Sequence, residues 1–116
     1  MQKNKVPLVS VIIPTYKRSE TLPCTIESVL NQTYPYIEII VVDDNGAGTE
    51  FQLATEDRLK KYIETEKIIY IKHTINKNGS AARNTGFNVC HGEYINFMDD
   101  DDIMLNDKIT TQIDIL

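Results

Sequence analysis

The chain lacks long apolar runs and has few cysteines. No run approaches the ~18 apolar residues that a membrane-spanning helix needs. The two cysteines, Cys24 and Cys90, form neither a CxxC pair nor a cluster with histidines, which favours reduced helix cysteines in a cytosolic protein. We therefore expect a cytoplasmic location, with peripheral attachment at the inner face of the membrane left open for a longer, full-length protein.

Basic residues are also in deficit. Lys and Arg number 12 against 17 Asp and Glu, which gives a net charge of −5. That balance argues against a protein that binds nucleic-acid phosphates through a basic face. It does not exclude an anionic ligand that binds together with a metal ion. With 41% hydrophobic residues among 116, the chain suits a single domain over residues 1–116.

What the chain contains is an alternation of short apolar runs and helical patterns. Runs rich in β-branched residues predict four strands: Leu8–Ile13, Ile37–Val42, Ile68–Ile71 and Tyr94–Met98. Helices are predicted after Ser19 and over Phe51–Ile63, Ser80–Cys90 and Asp107–Leu116. Apolar strands that alternate with helices are typical of an α/β protein with a Rossmann-like parallel sheet and helices on both faces.

Local signals predict where these elements end. Pro14 should end the first strand, Ser19 should cap the first helix, and Gly92 should follow the third helix. The second helix should have an apolar side made of Phe51, Leu53, Ala54, Leu59, Tyr62 and Ile63. The last helix has an apolar side without an evident partner, made of Ile109, Ile113 and Leu116.

The strand ends carry the polar residues that point to a site. In parallel sheets, ligands bind beyond the carboxyl ends of the strands. The first strand ends in Pro14-Thr15-Tyr16, the second in Asp43-Asp44, and the fourth in the four aspartates Asp99 to Asp102. If these strands are neighbours, the groups share one edge. Adjacent carboxylates repel each other, so the aspartate run indicates a bound cation.

The four aspartates need not act alike. In an extended chain, Asp99 and Asp101 would point one way and Asp100 and Asp102 the other. One such pair can hold a hard cation such as Mg²⁺, which takes oxygen ligands and leaves positions for phosphate oxygens. We favour Asp99 and Asp101 as that pair. The competing interpretation is structural, with Asp100 solvated and Asp102 capping the last helix.

Other polar residues keep two interpretations each. Asp43 and Asp44 fit a plain turn, or a site in which Asp44 accepts a hydrogen bond from a base or ribose. Lys17 and Arg18 are either phosphate contacts or solvated residues. Arg83 either forms a salt bridge or reaches a pyrophosphate. Two histidines have no second histidine at ligand spacing and are interpreted as ordinary surface residues: His73 and His91.

Four segments, in their order and spacing, resemble one family: VSVIIPTYKR, EIIVVDD, NGSAARNTGF and GEYINFMDDDD. Over about Leu8 to Leu116, they resemble the N-terminal, nucleotide-sugar-binding half of family 2 glycosyltransferases. The resemblance implies a GT-A fold, here truncated after about four strands. It also implies a nucleotide-diphosphate sugar donor, commonly a UDP-sugar, and a divalent metal, Mn²⁺ or Mg²⁺. Transfer would usually invert the anomeric carbon, to a saccharide or lipid-linked acceptor in polysaccharide biosynthesis.

The resemblance also assigns roles by position. Nucleotide-sugar-binding residues are expected at Pro14, Thr15, Tyr16, Asp43, Asp44, Asn78, Gly79, Arg83, Asp99 and Asp100. Asp99 and Asp101 match the D-x-D metal motif, with Asp101 expected to coordinate the metal directly. Two departures affect the base pocket. Lys17 stands where members often have Asn, and Asn45-Gly46-Ala47-Gly48 stands where many have Gly-Ser.

An inverting transferase needs a general base, which lies well downstream of the D-x-D motif in this family. The chain ends about fifteen residues after that motif. We therefore expect part of a larger catalytic domain that does not transfer sugar by itself. The exposed edge of a truncated sheet would also allow self-association, and no nucleic-acid partner is expected.

Three other classes share part of this pattern. A phosphoacceptor receiver domain needs an acidic pair after the first strand and an aspartate after the third. Pro14-Thr15-Tyr16 and Lys72-His73-Thr74 stand there instead. A sugar-1-phosphate nucleotidyltransferase would begin with a Gly-rich, Arg-containing loop, which does not follow the first strand. A noncatalytic module that binds nucleotide and metal is the third alternative.

Overall fold

The computed structural model describes residues 6–115 and shows a parallel α/β sheet. Its strands are β1 (Val9–Thr15), β2 (Ile37–Asp43), β3 (Ile69–Lys72) and β4 (Tyr94–Phe97). Its helices are α1 (Leu22–Leu30), α2 (Glu50–Glu64), α3 (Gly79–Val89) and α4 (Lys108–Ile115). The strands pair in parallel in the order β3-β2-β1-β4. The predicted fold class is confirmed, and β1 lies between β2 and β4.

Helices cover both faces of the sheet because alternate side chains of the central strands point to opposite sides. On one face, Val11, Ile13 and Val41 belong to a buried cluster that includes residues of α1, α2 and α4. On the other face, Ile12 and Ile40 pack with residues of α3. No helix within residues 6–115 has the length and apolar character needed to cross a membrane.

α3 lies close to the sheet because a small residue faces it. Gly86 is buried, and a Cβ atom placed on it would lie 2.5 Å from Cγ2 of Ile12. Any larger residue would require either α3 or the Ile12 side chain to shift. Because α3 follows β3 in the chain, its N-terminal turn lies at the carboxyl edge of the sheet.

Two predicted boundaries at the first strand and helix were wrong. Pro14 lies inside β1, opposite Val42 of β2. It is tolerated because β1 pairs with β4 only from Val9 to Ile12, so the missing N–H falls where that ladder has ended. Ser19 does not cap α1, since the N-cap is Thr21 and Pro23 occupies the first turn.

The predicted end of the third helix was also wrong. α3 ends at Val89, with Cys90 as its extended C-cap, before Gly92 is reached. The Gly92 amide instead donates to the Ser10 hydroxyl at 2.8 Å. A Cβ atom on Gly92 would lie 2.4 Å from that hydroxyl oxygen. This glycine therefore allows close approach of the β4 connection to β1.

The predicted apolar side of α2 was wrong in the first turn. Phe51, Leu53 and Ala54 are exposed, whereas Leu59 and Tyr62 are buried as expected. The inward positions of the first turns are taken by polar residues that are hydrogen-bonded, Gln52 and Thr55. In α4, Ile109 is buried and Ile113 is partly buried. Leu116, assigned to the same apolar side, lies outside the described residues.

Candidate functional site

A cleft of about 600 Å³ opens at the carboxyl edge of the sheet. This volume is within the range of small-molecule sites. Its lining comes from the ends of β1, β2 and β4 and from the region around the start of α3: Pro14, Thr15, Tyr16, Arg18, Asp44, Asn76, Asn78, Gly79, Ala82, Arg83, Asp99, Asp100 and Asp101. The structure thus brings together every residue assigned from the sequence except Asp43.

Asp43 lies beneath the cleft. Its side chain is fully buried and accepts hydrogen bonds from the Tyr70 hydroxyl and from the Asn45 backbone and side-chain amides. Burial, followed by the hydrogen bond to Asp43, raises the pKa of Tyr70 well above its usual range. In this structure Asp43 stabilises the β2 loop rather than presenting oxygen atoms to a ligand.

Asp44 lines the cleft but has its acceptor positions filled by the protein. Oδ1 accepts from His73 Nδ1 and from the Lys77 amide, each at 2.8 Å. Oδ2 accepts from Asn76 Nδ2 and from the Asn78 amide, each at 2.9 Å. A carboxylate has about four lone-pair sites, and all four accept hydrogen bonds here. Asp44 therefore holds the loop after β3 in place.

The interpretation of His73 as an ordinary surface residue was wrong. His73 is 6% exposed, and its second ring nitrogen, Nε2, lies 2.8 Å from the Thr85 hydroxyl. The sequence carried one usable signal, because His73 directly follows β3 and so reaches the same edge as Asp44. His91 is an exposed residue that pairs with Glu38.

Ala82 and Asn76 line the cleft but were not assigned from the sequence, and of the two only Asn76 has a polar side chain. Its side-chain amide donates to both the carbonyl and the carboxylate of Asp44. It lies in the polar loop between β3 and α3, where nothing in the residue pattern distinguished it from its neighbours.

The aspartate run forms a turn instead of continuing β4. The Asp102 amide donates to the Asp99 carbonyl at 3.2 Å, so the expected extended alternation of side chains was wrong. Asp102 does not cap α4, because that helix begins six positions later, at Lys108. Asp99, Asp101 and Asp102 are exposed, whereas Asp100 is buried.

Asp100 is therefore not the solvated residue that the structural interpretation predicted. Its Oδ2 accepts from the Thr15 hydroxyl at 2.9 Å and from the Tyr16 amide at 3.1 Å. Its carbonyl accepts from the hydroxyls of Thr21 and Thr25. Desolvation is the main reason that the pKa of Asp100 lies above its usual value. Asp100 ties the acidic turn to the end of β1.

Arg18 lies beside the acidic turn. Its guanidinium contacts the Asp101 carboxylate, and its Nε is 3.7 Å from Asp100 Oδ1. Lys17 does not line the cleft, because its ammonium lies 5.1 Å from the ring centre of Tyr16 and 4.9 Å from that of Phe51. Of the two basic residues, Arg18 is the one that the cleft can use.

Arg83 extends from α3 into the cleft lining. Within residues 6–115 it forms no ion pair with an acidic side chain. Together with the positive end of the α3 dipole, it makes the α3 side of the cleft cationic, while Arg18 lies on the side of the aspartates.

The acidic turn has the donor chemistry of an open metal site. Asp99 and Asp101 both line the cleft as exposed carboxylates. Among the described residues, no group of three or more acidic, histidine or cysteine side chains encloses a metal position. Mg²⁺ takes one or two carboxylates together with substrate phosphates, so this pair fits a metal that binds with a phosphate ligand. In this structure Asp101 pairs with the Arg18 guanidinium, a contact that a metal ion at Asp101 would replace.

Comparison with known proteins identifies the family. The chain matches the family model of "Glycosyl transferase family 2" over residues 10–116. It is 38% identical over 106 residues to the UDP-Glc:alpha-D-GlcNAc-diphosphoundecaprenol beta-1,3-glucosyltransferase WfaP of Escherichia coli, covering 91% of this chain and 40% of that protein. It is 35% identical over 114 residues to the putative teichuronic acid biosynthesis glycosyltransferase TuaG of Bacillus subtilis, covering 97% of this chain and 43% of that protein.

Solved structures agree with this assignment. S. aureus TarS 1–349 in complex with UDP-GlcNAc superposes with a TM-score of 0.77 at 27% identity, over 92% of this chain and 30% of that one. The mannosyltransferase PcManGT from Pyrobaculum calidifontis, in complex with GDP-Man and Mn²⁺, superposes with a TM-score of 0.73 at 26% identity. The match covers 86% of this chain and 29% of that one.

The match covers only part of each relative. The chain spans about two fifths of the length of the two curated relatives, at 40% and 43%. The sheet order, the cleft at its carboxyl edge and the family match lead to one assignment. The chain has a GT-A-type α/β fold and belongs to glycosyltransferase family 2.

Proposed function

We propose that this chain supplies the donor and metal site of a glycosyltransferase that uses a nucleotide-diphosphate sugar of the UDP class. The observation that carries the proposal is that one cleft contains the end of β1, Asp44 and the D-x-D aspartates. Two proteins described above support the donor class: the E. coli relative is named for a UDP-Glc donor, and TarS was solved with UDP-GlcNAc.

The metal role falls to Asp101, with Asp99 beside it. Both carboxylates are exposed in the cleft and supply the oxygen atoms that Mn²⁺ or Mg²⁺ binds. A bound ion supplies positive charge that offsets the charge developing on the diphosphate leaving group. The Mn²⁺ in the PcManGT complex supports a divalent ion in this fold.

The diphosphate is bound between the acidic turn and α3. Arg18 and Arg83 line the two sides of the cleft and carry permanent charges. The first turn of α3, at Asn78 and Gly79, adds the positive end of the helix dipole. These groups bind and orient the phosphates while the carboxylates of the turn stay neutralised.

The nucleoside is bound at the end of β1. Pro14, Thr15 and Tyr16 line the cleft there. Tyr16 is 44% exposed, so the part of its ring that the Lys17 ammonium does not cover can contact a base or ribose. Asp100 fixes this segment through the Thr15 hydroxyl and the Tyr16 amide. Since the Asp44 carboxylate is already saturated, we assign it to shaping the nucleoside side of the cleft.

The acceptor half of the reaction is proposed to lie outside this chain. The acceptor is a saccharide or a lipid-linked molecule. Transfer inverts the anomeric carbon, and the carboxylate base lies outside residues 1–116. The corresponding location is the cytoplasm, with the full-length protein at the inner face of the membrane. A noncatalytic nucleotide and metal module is the second candidate, and transfer from a UDP-sugar by the full-length protein distinguishes the two.

Calorimetric titration of UDP into the purified protein tests the donor and metal assignment. We expect binding with Mn²⁺, loss of binding with EDTA, and loss in Asp101→Ala. The matched control is Asp107→Ala, which removes an exposed carboxylate that does not line the cleft. Binding that is indifferent to EDTA or to Asp101→Ala contradicts the metal assignment. Stronger binding of GDP than of UDP contradicts the donor class.

A further inference from the structure

A hydrogen-bonded series of three side chains, Asp44, His73 and Thr85, runs from the cleft into α3. Asp44 Oδ1 lies 2.8 Å from His73 Nδ1, and His73 Nε2 lies 2.8 Å from the Thr85 hydroxyl. The side chains of His73 and Asp44 are 6% and 4% exposed. This hydrogen-bonded series therefore joins the end of β2, the end of β3 and the middle of α3, with Asp44 and His73 buried and Thr85 half-buried.

The chemistry of the three groups fixes the direction of the hydrogen bonds. An ionised Asp44 carboxylate can only accept, so His73 Nδ1 must carry a proton. In a neutral ring Nε2 is then an acceptor, and the Thr85 hydroxyl donates to it. The Asp44 carboxylate thus selects the tautomer protonated at Nδ1, and the Thr85 hydroxyl supplies the partner of Nε2 that holds the ring in place.

At its other end, this hydrogen-bonded series reaches the residues that form a wall of the cleft. The Asp44 carboxylate also accepts from the amides of Lys77 and Asn78 and from the Asn76 side chain. Residues 76–78 are otherwise exposed, so Asp44 is their principal attachment to the sheet. If His73 no longer oriented the carboxylate, these bonds would lose their fixed acceptor.

We propose that His73 and Thr85 are positioning residues for the donor site. They hold the Asp44 carboxylate in one orientation, and through it they fix residues 76–78 and the start of α3 in the arrangement that binds the nucleotide diphosphate. Groups that support a binding site from behind determine its geometry in this way. The inference rests on the proposed donor function and extends it to two residues that do not touch the ligand.

The test removes the hydroxyl and keeps the side-chain shape. In Thr85→Val we expect the dissociation constant for UDP with Mn²⁺ to rise about three- to tenfold. Loss of one partly buried hydrogen bond lowers the binding-competent fraction of the loop by about that factor. Thr85→Ser retains the hydroxyl and should bind within about twofold of the unmodified protein, which a purely steric role of Thr85 would not give.

A matched control is available on α4. Thr110 is half-buried like Thr85, and Thr110→Val removes a hydroxyl that lies 2.6 Å from the Thr33 hydroxyl, in an exposed contact away from the cleft. We expect it to lower thermal stability without changing UDP affinity. Equal weakening of UDP binding by Thr85→Val and Thr110→Val would show a general loss of stability and overturn the proposal.

A second measurement without nucleotide separates this inference from the donor assignment. We expect ¹⁵N spectra to show His73 protonated at Nδ1, and Thr85→Val to accelerate hydrogen exchange at the Lys77 and Asn78 amides. Unchanged hydrogen exchange at those amides in Thr85→Val overturns the proposal, whatever the effect of the substitution on UDP affinity. If the unmodified protein fails to bind UDP, the donor function fails. If exchange accelerates but UDP affinity stays the same, positioning for the donor fails.

Discussion

Asp100 offers the sharpest test of how the acidic turn is held. The perturbations are Asp100→Ala and Asp100→Asn. Oδ2 of Asp100 accepts both from the Thr15 hydroxyl, in a residue that is 1% exposed, and from the Tyr16 amide. Alanine leaves both donors without an acceptor. Asparagine can place its Oδ1 where Oδ2 was, and loses only the longer contact to Arg18 at 3.7 Å.

The magnitude follows from these contacts. A buried donor left unsatisfied costs about 1–3 kcal/mol, and two such donors give the alanine variant a gross loss of roughly 2–6 kcal/mol. Removing a carboxylate whose pKa is raised by desolvation returns part of this. We expect a net loss of about 2–4 kcal/mol for Asp100→Ala and about 1 kcal/mol or less for Asp100→Asn.

The assay is urea and thermal unfolding followed by circular dichroism. For a domain of this size, the alanine variant should unfold roughly 10 °C lower than the unmodified protein. Asp102→Ala is the control, because Asp102 is exposed in the same turn and should change the free energy of unfolding by no more than about 0.5 kcal/mol. Equal effects of Asp100→Ala and Asp102→Ala would refute the role assigned to Asp100.

Two further predictions concern packing and acid stability. Gly86→Ala should destabilise the protein by about 1–3 kcal/mol in urea unfolding, because its Cβ would lie 2.5 Å from Ile12 Cγ2; an unchanged midpoint would contradict the packing of α3. Partial desolvation raises the pKa of Glu38, but hydrogen bonds, led by that of the His91 amide, outweigh it and hold the pKa below the usual value. This contribution to stability is present above the unfolded carboxyl pKa of about 4.3 and is lost as pH falls through the lower folded value. Glu38→Gln should therefore lower stability at pH 7 more than at pH 3, and equal loss at both would count against it.

The fold and the location of the site could be predicted from sequence because they rest on robust patterns. Apolar strands alternating with helices leave few arrangements besides a parallel sheet. Once β1, β2 and β4 are neighbours, the groups that follow them must meet at the carboxyl edge. The positions of Tyr16, Asp44 and Asp101 in one cleft follow from that rule without knowledge of any side-chain contact.

The roles of single residues could not be predicted in the same way. Asp100 and Asp102 differ in burial because the chain turns after β4, and nothing in four identical residues encodes which one points inward. His73 depends on partners 29 and 12 positions away in the chain, Asp44 and Thr85. Such contacts are set by tertiary packing, and local sequence periodicity contains no information about them.

Pro14 shows the opposite failure, in which a sound local rule was overridden. Proline cannot donate to a strand ladder, so the strand was predicted to end there. The ladder with β4 had already ended at Ile12, and the partner on the other side, Val42, continued the pairing. Proline indeed donates no hydrogen bond here, but β4 offers no partner at this position, so the strand continues through Pro14.

Nucleotide and metal are proposed to bind together at the carboxyl edge of the sheet. Paramagnetic broadening by Mn²⁺ in the presence of UDP tests it most directly, since it locates the ion on the protein. We predict that substoichiometric Mn²⁺ removes the amide signals of Tyr16 and Asp101 first. The His91 amide, at the opposite edge beside Glu38, should persist. Broadening centred on His91 and Glu38, or equal at both edges, would contradict the account.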